Sequence, residues 1–311
     1  MRKELLNLRG IITVLNTPFT EKDEIDLESL RKNVLRAMRA GVVGFLVPAL
    51  AGEVGKLTLQ ERVGLVDTVI QTVRHREDAN ANTPRTLVIG GATAQDPLER
   101  VRAAEALIEL GCDGILVSLP YSSDESYLRG VNEIASLKPG FLMLQDWDPT
   151  GYGLPVPLIK RLFEEVEAFR CLKIETIPAG VKYTEVLQAT GGKLHVSGGW
   201  AVSQMIEGLD RGIHAFMPTG LHEIYCEIYR RYSSGHRPEA MDLFRKILPV
   251  LAFSNQHLDI SIHFFKRLLY REGTYATPRV RQPILPFDSY HQRIADELIE
   301  YVLELTFLLN E

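Results

Sequence analysis

Residues 169–176 read FRCLKIET, Phe169-Arg170-Cys171-Leu172-Lys173-Ile174-Glu175-Thr176, a strand-forming run with a lysine at its centre. Successive side chains of a strand point to opposite faces. Leu172 and Ile174 therefore share one face, and Cys171, Lys173 and Glu175 share the other. If the strand belongs to a closed barrel, the first face packs on outer helices and the second turns into the barrel interior. An ammonium buried there is costly unless it is paired or neutralised, and desolvation draws a lysine toward the range in which its free amine is available. Such an amine can form an imine with a ketone. From position alone two readings stay open: Lys173 is a nucleophile, or it is half of a structural ion pair with Glu175 or another interior acid.

The surrounding sequence supports the barrel. Short β-branched or apolar runs alternate with helical patterns in units of similar length. Gly10 to Phe19 precedes a helix over about Leu27 to Ala40, closed by Gly41. GFLVPA, TLVIGGAT, GILVSLP and GFLMLQDW each lead into a helical stretch, as do FRCLKIET, KLHVSGGW and HAFMPTG. The Asp96-Pro97 entry and the Gly111 exit are helix-cap signals. The pattern predicts an α/β fold, a (β/α)₈ TIM barrel over residues 1–235 with a C-terminal helical extension over residues 236–311. An open doubly wound sheet is the competing architecture; against it, no G-x-G-x-x-G opens the first helix. Residues 75–84 read as a polar insertion. TYATPRVRQPILPF, with three prolines, reads as an irregular connector between the last two helices.

Composition narrows the function. The chain has 311 residues, 45% hydrophobic and 24% charged, with a net charge of -5. There is no basic footprint for nucleic acid or an anionic membrane surface, so a small molecule is the expected partner. Cys112, Cys171 and Cys226 are too widely spaced for a zinc site or a disulfide frame, which suits a reducing cytoplasm. No stretch approaches the roughly 20 apolar residues of a membrane span, and the first residues lack a signal-peptide core. His195, inward on its strand, and His222, at the start of a helix, have no second ligand at metal spacing, so neither metal nor cofactor is expected.

Several fragments together carry a resemblance. They are Thr17-Pro18-Phe19, Gly52-Glu53 after the second strand, Pro120-Tyr121 after the fourth, Leu172-Lys173-Ile174-Glu175, Ser197-Gly198 after the seventh, and a lysine-containing tail ending in VRQPILPF. Over nearly its whole length the chain resembles the dihydrodipicolinate synthase and N-acetylneuraminate lyase family. That resemblance implies a lyase without a cofactor, acting on a 2-keto acid through an imine on Lys173, and a homodimer or homotetramer. It also implies substrate-site roles for Gly52, Glu53 and Tyr121, the last at the site or at a subunit contact. Gly198 and Gly199 leave backbone amides that suit a carboxylate, although glycines there could serve only the turn.

The departures are specific. Where the family carries Gly-Thr-Thr-Gly-Glu, this chain reads Ala49-Leu50-Ala51-Gly52-Glu53, without either hydroxyl. Where a tyrosine in a Tyr-Asn-x-Pro context transfers protons, it reads Gln145-Asp146-Trp147-Asp148-Pro149. Either Gln145 or Asp146 takes the tyrosine position. Such a stretch, followed by Lys-Ile-Glu-Thr, resembles the branch that dehydrates 2-keto-3-deoxy sugar acids. Asp146, Glu175 and Asp148 are the candidate proton-transfer groups, with Gln145 as an orienting group and Asp148 the more ordinary loop charge; each still needs to lie within about 3 Å of the reacting group. Trp147 and Trp200 follow strands on the active face and wall the pocket or simply pack; Thr219 and Gly220 raise the same question after the eighth strand. Two other classes compete: a non-catalytic barrel that binds a sugar acid, and a phosphate-binding barrel isomerase, for which GGW and PTG are thin amide cradles.

Overall fold

The computed structural model describes residues 5, 7–79 and 85–310. Eight parallel strands close into a barrel in sequence order, β1 pairing with β8. The strands are β1 (Gly10–Val14), β2 (Gly44–Val47), β3 (Leu87–Gly91), β4 (Gly114–Val117), β5 (Leu142–Asp148), β6 (Phe169–Thr176), β7 (His195–Gly198) and β8 (Ala215–Phe216). Closure excludes the open doubly wound sheet. Each strand is followed by a helix: α1 (Leu27–Ala40), α2 (Leu59–Asp78), α3 (Pro97–Glu109), α4 (Asp124–Ser136), α5 (Val156–Glu165), α6 (Ala179–Ala189), α7 (Met205–Asp210) and α8 (His222–Ser233). Beyond them come α9 (Arg237–Ser254), α10 (Leu258–Arg271) and α11 (Ser289–Asn310), with no strand among them.

The helix boundaries follow from local chemistry. Asp26 accepts the Ser29 amide at the start of α1, and Gly41 ends that helix at φ 97°, a conformation that costs glycine little. Thr58 and Glu61 form a reciprocal capping box on α2, and Asp96 caps α3 ahead of Pro97. The expected polar insertion is partly helix: α2 runs through His75 to Asp78. Its last turn is tied down because Glu77 accepts the Thr86 amide at 2.6 Å and pairs with Arg74 at 2.9 Å. Residues 80–84 of that insertion lie outside the described residues. The first strand is shorter than the sequence suggests, and Phe19 instead makes an isolated antiparallel bridge to Ile25.

Alternation sorts the core as the pattern requires. Ile12, Val14, Leu46, Ile89, Leu116, Met143, Cys171 and Met217 form one cluster inside the barrel. Leu172, Ile174, Leu142 and Leu144 join the larger cluster between sheet and helices. Burying each such aliphatic side chain contributes roughly 1.5–3 kcal/mol. No helix among the described residues is long and apolar enough to cross a membrane.

The extension is fastened to the barrel by a buried ionic cluster. Glu53 lies in the left-handed region, φ 58°, which a non-glycine residue adopts only when its surroundings hold it there. The Lys266 ammonium of α10 and Lys56 both pair with its carboxylate, and the Arg281 amide donates to it at 3.0 Å. Burial pulls the Lys266 ammonium down to about 8 despite that pairing, and the Phe19 ring lies 4.2 Å beneath it. Thr17-Pro18-Phe19, Gly52-Glu53 and VRQPILPF, three separate fragments of the sequence, thus meet at one joint.

Three histidines are held neutral inside the fold. Desolvation lowers His195 to about 3, and His214 and His222 to about 4. His222 bridges Thr13 at 3.1 Å and Asn33 at 2.9 Å. An unfolded histidine titrates near 6.5, so the folded state binds fewer protons. The stability that these histidines contribute is complete above pH about 6.5 and is lost as pH falls toward 4. Denaturant unfolding of His222→Gln across this window should show a pH slope smaller by up to one proton, about 1.4 kcal/mol per pH unit; an unchanged slope contradicts the neutral burial.

Candidate active site

The Lys173 side chain points into the barrel at the strands' C-terminal end and is 4% exposed. Its Nζ lies 3.1 Å from Glu175 Oε1. Glu175 also accepts the Gln145 side-chain amide at Oε2, 2.5 Å away, and the Trp200 backbone amide at Oε1, 2.7 Å away. One carboxylate thus gathers a cation, a side-chain amide and a backbone amide, which offsets much of the cost of burying its charge. The arrangement depends on Gly199: a Cβ there would stand 2.1 Å from Glu175 Oε1.

Strand register decides between the two residues that could take the family's tyrosine position. Gln145 pairs with Lys173 across β5 and β6 and faces inward. Asp146 faces α6, where its carboxylate lies 2.5 Å from Lys182 Nζ and accepts the Leu154 amide at 2.9 Å. Burial raises the Asp146 carboxyl and lowers the Lys182 ammonium. Asp146 is therefore a structural anchor of the loop after β5 and does not stand beside Lys173. Asp148 serves the same loop, accepting amides from Thr150 and Gly153.

The substrate-binding expectations divide in the same way. Glu53 is consumed by Lys266 and Lys56, away from Lys173. Gly52 is a packing position: its carbonyl accepts Thr17 Oγ1 at 2.6 Å, and a Cβ would lie 2.8 Å from the Leu15 carbonyl. Gly198 lets Tyr183 and Phe216 pack outside the sheet, and the Gly199 amide donates to the Ile174 carbonyl. The Gly199 amide is thus engaged within the backbone, and Gly198 is a packing position. Tyr121 is exposed, with its hydroxyl donating to Asp124 at 2.8 Å. His195 lies inside the barrel 3.0 Å from Cys171 Sγ, but burial raises the thiol and lowers the imidazole, so the two stay neutral neighbours.

Beside Lys173 lies a cavity of about 40 Å³, lined by Val14, Leu50, Ala51, Gln145, Met217 and Thr219, and by Leu258, Ser261 and Phe265 of α10. It has room for a few water molecules. Trp147 and Trp200 meet edge to face at 5.0 Å along its wall. On one side is a cleft of about 1060 Å³ that shares Leu50, Gln145 and Trp147; on the other is a groove of about 480 Å³ that shares Trp147, Glu175 and Trp200. The contribution of α10 has no signal in its sequence, which reads only as an amphipathic helix, and the pairing of Asp146 with Lys182 has none either. Among the described residues no cluster of His, Cys, Asp or Glu could hold a metal.

The chain has known relatives in sequence and in fold. Residues 7–301 match the model of the dihydrodipicolinate synthetase family. The chain is 26% identical to a DapA-like lyase of Pyrobaculum islandicum over 95% of this chain and 98% of that protein. It is 24% identical to L-2-keto-3-deoxyarabonate dehydratase of Azospirillum brasilense over 89% of this chain and 88% of that enzyme. The structure of 4-hydroxy-tetrahydrodipicolinate synthase from Methylacidiphilum fumariolicum superposes with a TM-score of 0.84, covering 97% of this chain and 98% of that one at 19% identity, a likeness of fold. A closed barrel with a lysine and its acid at the open end, matched by the family model over nearly the whole chain, leads to one assignment: the chain belongs to the dihydrodipicolinate synthetase family of class I, Schiff-base lyases.

Proposed function

We propose that the protein dehydrates or cleaves a 2-keto acid carrying a hydroxyl at C4, the head shared by 2-keto-3-deoxy sugar acids, through an imine on Lys173. The observation that carries this reading is the Lys173 amine inside the barrel, with an acid at 3.1 Å and open space beside it. The dehydratase relative supports elimination as the reaction. A free substrate enters when the Trp147–Trp200 pair opens, since the cavity at rest is smaller than a keto acid.

The steps follow from the groups present. The Lys173 ammonium gives one proton to Glu175, and its freed amine adds to the C2 carbonyl. A second proton passes from the nitrogen to the new C2 alkoxide, and the resulting hydroxyl leaves as water with the proton that Glu175 returns, giving a protonated imine that draws electrons from C3. Glu175, again a carboxylate, then takes a proton from C3, forming the enamine. Those electrons expel the C4 hydroxyl, which departs as water with the Glu175 proton. Hydrolysis of the imine releases the product and the amine. In the alternative retro-aldol course the C4 hydroxyl loses its proton, the C3–C4 bond breaks, and pyruvate leaves with an aldehyde. Gln145, hydrogen-bonded to Glu175, orients that carboxylate. With Leu50 and Ala51 in place of the family hydroxyls, the Thr219 and Ser261 hydroxyls, which line the cavity without a protein partner among the described residues, are the donors for the substrate carboxylate. A homodimer or homotetramer, as the resemblance implies, completes the proposal, with Tyr121 at the subunit contact.

Borohydride added to the protein with pyruvate should yield an intact chain heavier by one reduced adduct, located at Lys173 by peptide mass and missing in Lys173→Ala. An unmodified chain after a panel of 2-keto acids favours a non-catalytic binder instead. Product analysis then separates the two reaction courses, because only cleavage yields pyruvate. Gly199→Ala should fold normally yet lower kcat by about 100-fold, the scale of a reacting group misplaced by about 1 Å; wild-type kcat would remove Glu175 from the mechanism.

A further inference from the structure

A second group of charged side chains gathers away from Lys173, around a cavity of about 970 Å³ between α1 and α8. Its floor is Gly10 and Ile11 at the start of β1 together with Val43, and it shares no residue with the Lys173 cavity. Lys32, Arg36 and Arg39 line it from α1, Arg230 from α8, and Arg9 from ahead of β1. Against these cations stand the carboxylates of Glu223, Glu227 and Glu272, so the lining carries a positive surplus in a chain whose net charge is -5. We propose that this cavity is a binding site for an elongated small-molecule dianion, with one anionic group at Lys32 and the other at Arg39.

The acids of the cavity are already matched. Arg36 meets Glu223 at 2.7 Å and Glu272 at 2.6 Å, and it donates to Thr274 Oγ1 at 3.2 Å. Two carboxylates facing one guanidinium would hold an excess negative charge out of water, but burial raises the Glu272 carboxyl to about 7, so near neutral pH that acid is partly protonated. Glu227 accepts from both Arg230 and Arg231 at 2.7 Å. Arg9 donates to the Tyr229 hydroxyl. Lys32 and Arg39 remain: both are exposed, and among the described residues neither meets a carboxylate. Unpaired cations that line one concave space focus its field and draw anions into it.

The spacing of the two free cations sets the shape of the ligand. Lys32, Arg36 and Arg39 recur at helical spacing and share one face of α1. Lys32 and Arg39 are two turns apart, about 10 Å along the helix axis, with the already paired Arg36 between them. A compact anion therefore meets one free cation, whereas a long one with a charge at each end meets both. The Arg39 guanidinium suits a carboxylate or a phosphate, since its planar fork matches either. Ile11, Ala40, Val43 and Leu309 give the lining an apolar share for the body of the molecule, and the volume is ample for a small organic ligand.

Titration calorimetry of the full chain at low salt tests this with two long dianions, suberate and fructose 1,6-bisphosphate, beside the compact anions malonate and inorganic phosphate and the single-charged octanoate. At least one long dianion should saturate a single site per chain and bind about 5-fold or more tightly than the compact and single-charged anions, the upper end for one exposed ion pair; which of the two binds better tells carboxylate from phosphate preference. Lys32→Gln and Arg39→Gln should each weaken that binding by about 5-fold and the double variant by about 25-fold, because sites two turns apart add. Lys32→Arg should retain it. Both positions are exposed, so the variants should melt like the parent chain. No saturable binding of either long dianion, equal binding of the compact anions, or binding that both single variants leave unchanged overturns the site and reduces the two cations to a solvated face. No step of the titration involves Lys173, so its outcome stands apart from that of the pyruvate trapping.

Discussion

The Glu175 carboxylate is the point on which the interior of this barrel turns. It is almost fully buried, yet it is met by an ammonium, a side-chain amide and a backbone amide from three different strand ends. A buried ion pair of this kind contributes little net stability, but removing one partner leaves an uncompensated charge and costs about 3–5 kcal/mol. The pair therefore fixes the positions of β5, β6 and the turn after β7 relative to one another. It also holds the amine at the C-terminal end of the barrel, beside the small cavity.

The same solution recurs twice, with a different outcome each time. Lys182 meets Asp146, and Lys266 meets Glu53, both lysines with no exposed surface. Each also donates to a backbone carbonyl, Lys182 to Tyr152 and Lys266 to Arg279. These two close a loop and dock a helix. Lys173 lines a cavity beside its acid, and that open space is what the Schiff-base proposal rests on.

The substitutions relative to the family pattern are coherent when seen together. Leu50 and Ala51 remove hydroxyls on one side of the cavity, while α10 brings Ser261, Leu258 and Phe265 to it from the other. The site is thus completed by the extension, and the Glu53–Lys266 cluster that seats α10 bears indirectly on the cavity's shape. Trp147 and Trp200 then make the boundary toward the groove aromatic. The result is a pocket with Lys173 and Glu175 at its centre and largely apolar walls.

Much of this was legible in the chain alone, because it depends on period and local chemistry. Alternation in FRCLKIET put Lys173 and Glu175 on one face, and repeated strand and helix units with cap residues implied a closed barrel. What alternation could not do was choose the register of β5 against β6, which turned Gln145 inward and sent Asp146 to Lys182. Nor could spacing show that Glu53 is spent on a lysine 213 residues away, or that Gly198 and Gly199 serve packing. The sequence by itself determined the fold class and the inward placement of Lys173 beside Glu175, since both follow from interactions between near neighbours. Only the tertiary structure decided which acids share space with that lysine, because such pairings join segments far apart in the chain and depend on how the barrel closes.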